Sequence, residues 1–165
     1  MSYNIGLILP DKSNNILDEV KVKFNNHANM NYNHLERVLN KDEHVYYWCG
    51  TNSETGFNTY DSCKRIEEKK DNIEERDERY KEVFFRSTYP LIELRKKDAE
   101  KWIDIIRTFF NEYGMKRIGI VMFWMSNDID ENDFTTFPSD EIHLDDLNID
   151  VILKFKPEII HYIVK

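Results

Sequence analysis

The sequence predicts an α+β fold in which helices pack on a mixed or mainly antiparallel sheet. Strand-like segments occur before and after one strongly amphipathic helix, without the regular strand–helix alternation that a parallel sheet requires. A length of 165 residues, with 41% hydrophobic and 13% aromatic residues, is enough to build one core. We therefore expect a single domain over 1–165.

The first forty residues are expected to contribute mainly strands. Residues 3–9 are apolar up to Pro10 and predict a first strand that ends in a polar turn. Residues 16–24 fit the spacing of a strand and also that of a helix, and the alternation of their apolar side chains favours the strand. Residues 34–39 predict a short helix, because their apolar side chains share one face.

An aromatic hairpin is expected next. Residues 44–50 are rich in β-branched and aromatic side chains and predict a strand, 52–56 a turn, and 57–63 the returning strand. Cys49 and Cys63 are too few for a disulfide framework. We interpret both as structural thiols of a protein in the cytoplasm.

Residues 64–82 form the most highly charged stretch of the chain. Fifteen of these nineteen residues are charged, and the apolar ones recur every seven positions. Such a segment forms either a helix that contacts the body along a narrow stripe or a charged connector. Residues 83–95 then resume the character of a strand, with Pro90 marking an edge or a bend.

Residues 98–113 predict the longest helix, with Asp98 as its N-cap and Gly114 as its stop. Its apolar residues follow helical spacing and form a broad face for packing on a sheet: Ala99, Trp102, Ile103, Ile106, Phe109, Phe110 and Tyr113. Residues 116–125 follow as a strand that is apolar on both faces. This pattern indicates a central position in the sheet.

The C-terminal residues 149–155 and 159–164 predict two more strands, separated at Pro157. No run of about 20 apolar residues occurs in the chain, and the apolar run over 5–9 is too short for a signal peptide. We therefore expect neither export nor membrane insertion.

No catalytic motif occurs in the sequence. The five glycines form neither a dinucleotide-binding nor a phosphate-binding loop, and no Gly-x-Ser-x-Gly sequence is present. The five histidines show no metal-ligand spacing, so we expect no cofactor and no metal. A nucleophile pair of Cys49 with His44 or His161 stays open, because it depends on geometry. Otherwise His161 is interpreted as a core or edge residue.

Residues 127–150, the acidic segment, are the strongest charge asymmetry of the chain. They hold nine carboxylates and no lysine or arginine, while the net charge of the chain is −8, so the remaining residues sum to +1. The segment should attract a basic partner, and its acidity disfavours direct nucleic-acid binding. A solvated face that maintains solubility is the alternative. A cation site is a further alternative: the opening of a calcium loop at Asp128 is a weak match, because Asp133 and Ser139 replace the required Gly and Glu, so we expect loose binding and no dedicated site.

The candidate partner-binding residues lie in this segment. Phe134 and Phe137 are candidate anchors, since interface hot spots favour large side chains among polar rims, although both also fit a core. The candidate carboxylates are Asp128, Asp130, Glu131, Asp133, Asp140, Glu141, Asp145 and Asp146.

In being small, acidic and free of catalytic motifs, the chain resembles the bacterial immunity proteins that pair with polymorphic or contact-dependent toxins. The resemblance is one of general character and covers no diagnostic motif. It implies a non-catalytic inhibitor that docks a basic toxin domain through 127–150, where acidic groups mimic phosphates. Two other classes stay open: a phage or bacterial accessory or structural protein, and an enzyme whose site leaves no local motif.

Overall fold

The structure, a computed structural model, describes residues 3–24, 37–48, 96–124 and 134–165. The strands in these ranges are β1 (Tyr3–Pro10), β2 (Arg37–Asn40), β3 (Glu43–Trp48), β4 (Arg117–Trp124), β5 (Ser139–His143) and β6 (Ile160–Val164). The α-helices are α1 (Asn14–Lys23), α2 (96–111) and α3 (Ile149–Leu153). Short 3-10 helices lie at Phe134–Thr136 and Leu144–Asp146.

The six described strands form one mixed sheet in the order β2-β3-β1-β4-β6-β5. All neighbours are antiparallel except β5, which runs parallel to β6 at one edge. The structure therefore confirms an α+β fold with a mixed, mainly antiparallel sheet. The prediction of a single domain concerns the whole chain and stays a prediction.

The main core lies between one face of the sheet and the helices. Leu7 of β1 and Ile120 of β4 are fully buried there, together with Trp102 of α2. Helices α1 and α3 reach the same core through Leu17 and Ile152. None of the helices in the described ranges has both the length and the apolar character needed to cross a membrane.

A second, smaller core lies on the opposite face of the sheet and includes Val121, Phe134 and Tyr162. Gly119 makes this packing possible, because a Cβ at this position would lie 2.9 Å from Ile8 Cβ and 3.1 Å from Tyr162 Cε1. Tyr162 is directly opposite Gly119 in the β4–β6 register. The missing side chain of Gly119 therefore leaves room for two larger ones.

Four strand predictions agree with the structure. Those at 3–9, 116–125 and 159–164 are confirmed, as is the one at 44–50 as far as residue 48. Strand β4 lies between β1 and β6 and is buried on both faces, as its two-sided apolar pattern predicted.

The long helix is confirmed, but it begins earlier than predicted. Residues 96 and 97 are already helical, so Asp98 lies inside α2 and is not its N-cap. Gly114 has φ of +65° and ends the helix as predicted, since glycine adopts this conformation without a steric penalty. The Met115 N–H then donates to the Phe109 carbonyl at 3.1 Å.

Two predicted strands are wrong, because these segments form helices. Residues 16–24 lie largely in α1, which places Leu17 and Val20, three positions apart, in the main core. Residues 149–155 contain α3, whose first turn is capped by the Asn148 side chain accepting the N–H of the third residue beyond it at 3.1 Å.

The predicted helix over 34–39 is wrong in its described part, because 37–39 belong to β2. Strands β2 and β3 form a hairpin with a tight turn, in which the Asp42 N–H donates to Asn40 Oδ1 at 2.9 Å. The predicted returning strand, 57–63, lies outside the described residues. The neighbours that the structure gives β3 are β1 and β2.

Several other predicted features also lie outside the described residues. These are the turn at 52–56, the charged segment 64–82, the strand at 83–95, and both cysteines, Cys49 and Cys63.

Candidate functional site

The described part of the acidic segment, 134–150, contributes an edge strand to the sheet. It runs through a 3-10 helix, the edge strand β5, a second 3-10 helix and the start of α3. The edge strand was not predicted from the sequence. We refer to 139–150 as the acidic edge. Four candidate carboxylates lie outside the described residues: Asp128, Asp130, Glu131 and Asp133.

The two candidate aromatic anchors attach the chain before β5 to the second core. Phe134 is 6% exposed, and its ring meets that of Phe123 edge-on with centroids 5.0 Å apart. Phe137 is half-buried and packs against Phe134, with the ring centroids 5.5 Å apart. Phe134 is therefore a core residue, which is the alternative that the sequence left open.

Asp140 is engaged by a buried histidine of the neighbouring strand. Its Oδ1 and Oδ2 lie 2.8 and 3.0 Å from His161 Nδ1. His161 is 5% exposed, and its ring stacks on Phe155 with centroids 4.3 Å apart. The Lys156 N–H lies 3.1 Å from Nε2, closer than the carbonyl of the same residue at 3.4 Å. Nε2 therefore accepts a hydrogen bond, and Nδ1 carries the proton and donates it to Asp140.

This geometry gives His161 a structural role. Both ring nitrogens are engaged within the protein, so neither is placed to take a proton from a substrate. Cys49, its candidate partner in a nucleophile pair, lies outside the described residues. His44 contacts Asp11 instead, with Nε2 3.2 Å from Oδ1. Within the described part of the chain, no group of three or more His, Cys, Asp or Glu side chains could hold a metal ion.

A groove of about 700 Å³ runs between α2 and the beginning of α3. This volume is within the range of small-molecule sites. Its lining combines apolar residues with charges of both signs: Lys96, Glu100, Ile103, Asp104, Arg107, Leu147, Asn148, Ile149 and Asp150. No histidine, cysteine or serine occurs among these lining residues, and the ionisable side chains of the groove are carboxylates, a lysine and an arginine.

Four carboxylates of the acidic edge form no ion pair within the described ranges. Glu141, Asp145, Asp146 and Asp150 are exposed, and no lysine, arginine or histidine of the described ranges forms an ion pair with them. Elsewhere exposed charges do pair, as Lys23 does with Glu112. The acidic edge therefore presents negative charge to solvent at fixed positions.

Sequence reasoning missed both β5 and the Asp140–His161 pair. Strand β5 has a single apolar side chain, Ile142, so its alternation is too weak to predict a strand. The pair joins residues 21 positions apart and depends on β5 lying in register with β6.

Comparisons of the chain with protein-family models, with curated proteins and with solved structures find no match. A function has to be inferred from the charge and geometry of the chain itself.

Proposed function

We propose that this chain is a non-catalytic binding protein of the inhibitor or immunity type, which docks a basic protein partner through its acidic segment, 127–150. The observation that carries the proposal is the set of exposed carboxylates on the acidic edge that form no ion pair in the described part of the chain. A basic toxin domain is the partner that the resemblance to immunity proteins implies. The protein acts in the cytoplasm, and it needs no cofactor, membrane or direct contact with nucleic acid.

Uncompensated charge favours a partner of opposite sign in two ways. It steers the approach of the partner, which raises the association rate, and it disfavours acidic competitors. Salt screens such charges over about 8–10 Å at physiological ionic strength, so binding should weaken as salt rises. Because the acidic edge is held in a strand of the sheet and two short helices, docking also requires little ordering of the backbone.

An enzymatic function has one observation in its favour, the groove between α2 and α3. Its size suits a ligand, but its lining contains no histidine, cysteine or serine, and no catalytic motif occurs in the sequence. The one buried histidine of the described residues, His161, is engaged at both ring nitrogens. These features support binding better than catalysis.

The test begins with affinity capture from the native host, elution in a salt gradient and identification of the released protein by mass spectrometry. Its association rate is then measured with the double variant Asp145→Asn and Asp146→Asn. Asp42→Lys is the matched control, because both variants change the net charge from −8 to −6. Asp42 lies in the turn between β2 and β3, at the opposite edge of the sheet from β5.

We expect the double variant to associate about 2- to 30-fold more slowly at low salt, which corresponds to two exposed pairs of about 0.2–1 kcal/mol each. The control should associate at nearly the unaltered rate. An unchanged rate for the double variant at low salt, or an equal loss in both variants, would show that the acidic edge is not the docking face.

A further inference from the structure

Strand β5 ends the sheet, and its outer side has no neighbouring strand in the described ranges. The Ile160 N–H donates to the Pro138 carbonyl at 2.9 Å, and Ser139 is in register with Ile160. In a parallel pair with this register, Asp140 and Ile142 direct their backbone groups toward β6.

Ser139, Glu141 and His143 consequently direct their N–H groups away from the sheet. These outward groups have no hydrogen-bond partner among the described residues. All three side chains are exposed, so solvent reaches this edge. A row of outward backbone groups of this kind is a template for a further strand.

We propose that the outer edge of β5 binds a basic, extended segment of the protein partner, which adds to the sheet as a further strand. This inference rests on the proposed function and specifies how the partner is held. The backbone groups supply directional hydrogen bonds, and the charges select the sequence that forms them. A lysine or arginine directly opposite Glu141 would have its Cβ about 4.5–5.5 Å from that of Glu141.

The edge is already in the conformation that strand addition requires. Asp140 is held by His161, and Ile142 packs against the main core on the same face. Strand β5 is paired with β6 along its whole length, from Ser139 to His143. Little conformational freedom is left for binding to remove.

The same charges argue against a second copy of this chain as the occupant. Antiparallel pairing of two β5 strands centred on Glu141 would place the two glutamates directly opposite each other. Parallel pairing in register would place both Asp140 and Glu141 beside their own copies. Like charges in these positions destabilise a strand pair, and short charged edges protect many proteins from self-pairing.

The test uses the full, ¹⁵N-labelled chain and a synthetic peptide of alternating lysine and valine, about six residues long to match a common strand length. One control peptide has glutamate in place of lysine, and another has a central proline. At saturation with the lysine peptide, amide exchange at Glu141 and His143 should slow by at least about tenfold, because these N–H groups become hydrogen-bonded. The glutamate and proline peptides should leave that exchange unchanged.

Two variants separate backbone pairing from charge. Glu141→Pro removes the outward N–H at a position where an edge strand tolerates proline, whereas Glu141→Gln removes only the charge. We expect Glu141→Pro to bind the lysine peptide at least about tenfold more weakly than Glu141→Gln does. Equal binding by the two variants overturns strand addition. Should Glu141→Pro fail to fold, amide exchange in the unaltered chain decides alone.

The outcomes distinguish this inference from the proposed function. If the lysine peptide binds in a salt-dependent manner but leaves the Glu141 and His143 amides unprotected, strand addition is overturned while acidic docking stands. If the Asp145→Asn and Asp146→Asn variant meets its partner at the unaltered rate, the proposed function fails. If sedimentation shows a dimer that Glu141→Pro abolishes, the occupant is a second copy of this chain. The proposal that a basic segment of a partner occupies the edge is then overturned.

Discussion

Replacing Asp140 with alanine tests how this carboxylate contributes to the fold. His161 Nδ1 lies 2.8 Å from Asp140 Oδ1 in a residue that is 5% exposed, so alanine leaves a buried donor without its acceptor. Such a loss costs about 1–3 kcal/mol. The Asp140 side chain is 52% exposed, so water can enter the vacated position. We therefore expect a cost in the lower part of this range, about 1–2 kcal/mol.

Thermal unfolding measures this cost directly. For a chain of this length, 1 kcal/mol changes Tm by about 2–4 °C, so Asp140→Ala should lower Tm by about 2–8 °C. Asp140→Asn keeps an oxygen that accepts the Nδ1 hydrogen and should recover most of the loss. Asp145→Ala is the control, because Asp145 is exposed and without an ion pair in the described ranges; its effect should stay within about 0.5 kcal/mol.

A double-mutant cycle assigns the loss to the Asp140–His161 pair. His161→Phe keeps an aromatic ring stacked on Phe155 and removes Nδ1. Asp140→Ala should then cost less in the His161→Phe background than in the unaltered chain, by about 1 kcal/mol. A Tm for Asp140→Ala within about 1 °C of the unaltered chain, or the same cost in both backgrounds, would refute this reasoning.

Two further predictions concern the second core. Gly119→Ala places a Cβ 2.9 Å from Ile8 Cβ and should destabilise the fold by about 1–3 kcal/mol; an unchanged urea midpoint would contradict this. Burial, and then the nearby Glu43, raise the pKa of Tyr162 above 10.0. The neutral phenol therefore favours the folded state, and this contribution is complete below pH about 10 and lost as pH rises through the folded pKa. Urea unfolding is compared with and without Tyr162→Phe in a chain that already carries Tyr113→Phe, because the hydrogen bond to Glu19 also raises the pKa of Tyr113. Tyr162→Phe should reduce the loss of unfolding free energy above pH about 10.

How well the sequence predicted an element depended on how long its apolar pattern was. The pattern over α2 covers four turns, and no other structure fits it. Residues 16–24 fit two periodicities. The helix is favoured because it buries Leu17 and Val20 in a core, most of whose members lie far along the chain. The signal for the short helix α3 was a single capping side chain, Asn148. The alternating apolar residues that follow it favoured a strand in the sequence.

The candidate site was predictable as charge but not as geometry. The sequence alone locates the nine carboxylates of 127–150. Which of them face inward depends on the register of β5 with β6, and this pairing joins segments about twenty residues apart. Asp140 and Phe134 were both candidates for partner contact, yet one is bonded to His161 and the other lies in the core.

These inward residues bear on whether the acidic edge docks a partner or only maintains solubility. Asp140, Ile142 and Phe134 hold the edge in place, so that Glu141 and Asp145 project from fixed positions. Solubility depends mainly on how many charges a surface carries, whereas docking depends on where they are. Changing the net charge by the same two units at two different places therefore separates the two roles. A solubilising face would respond equally to Asp42→Lys and to the Asp145→Asn and Asp146→Asn variant, and a docking face would respond only to the latter.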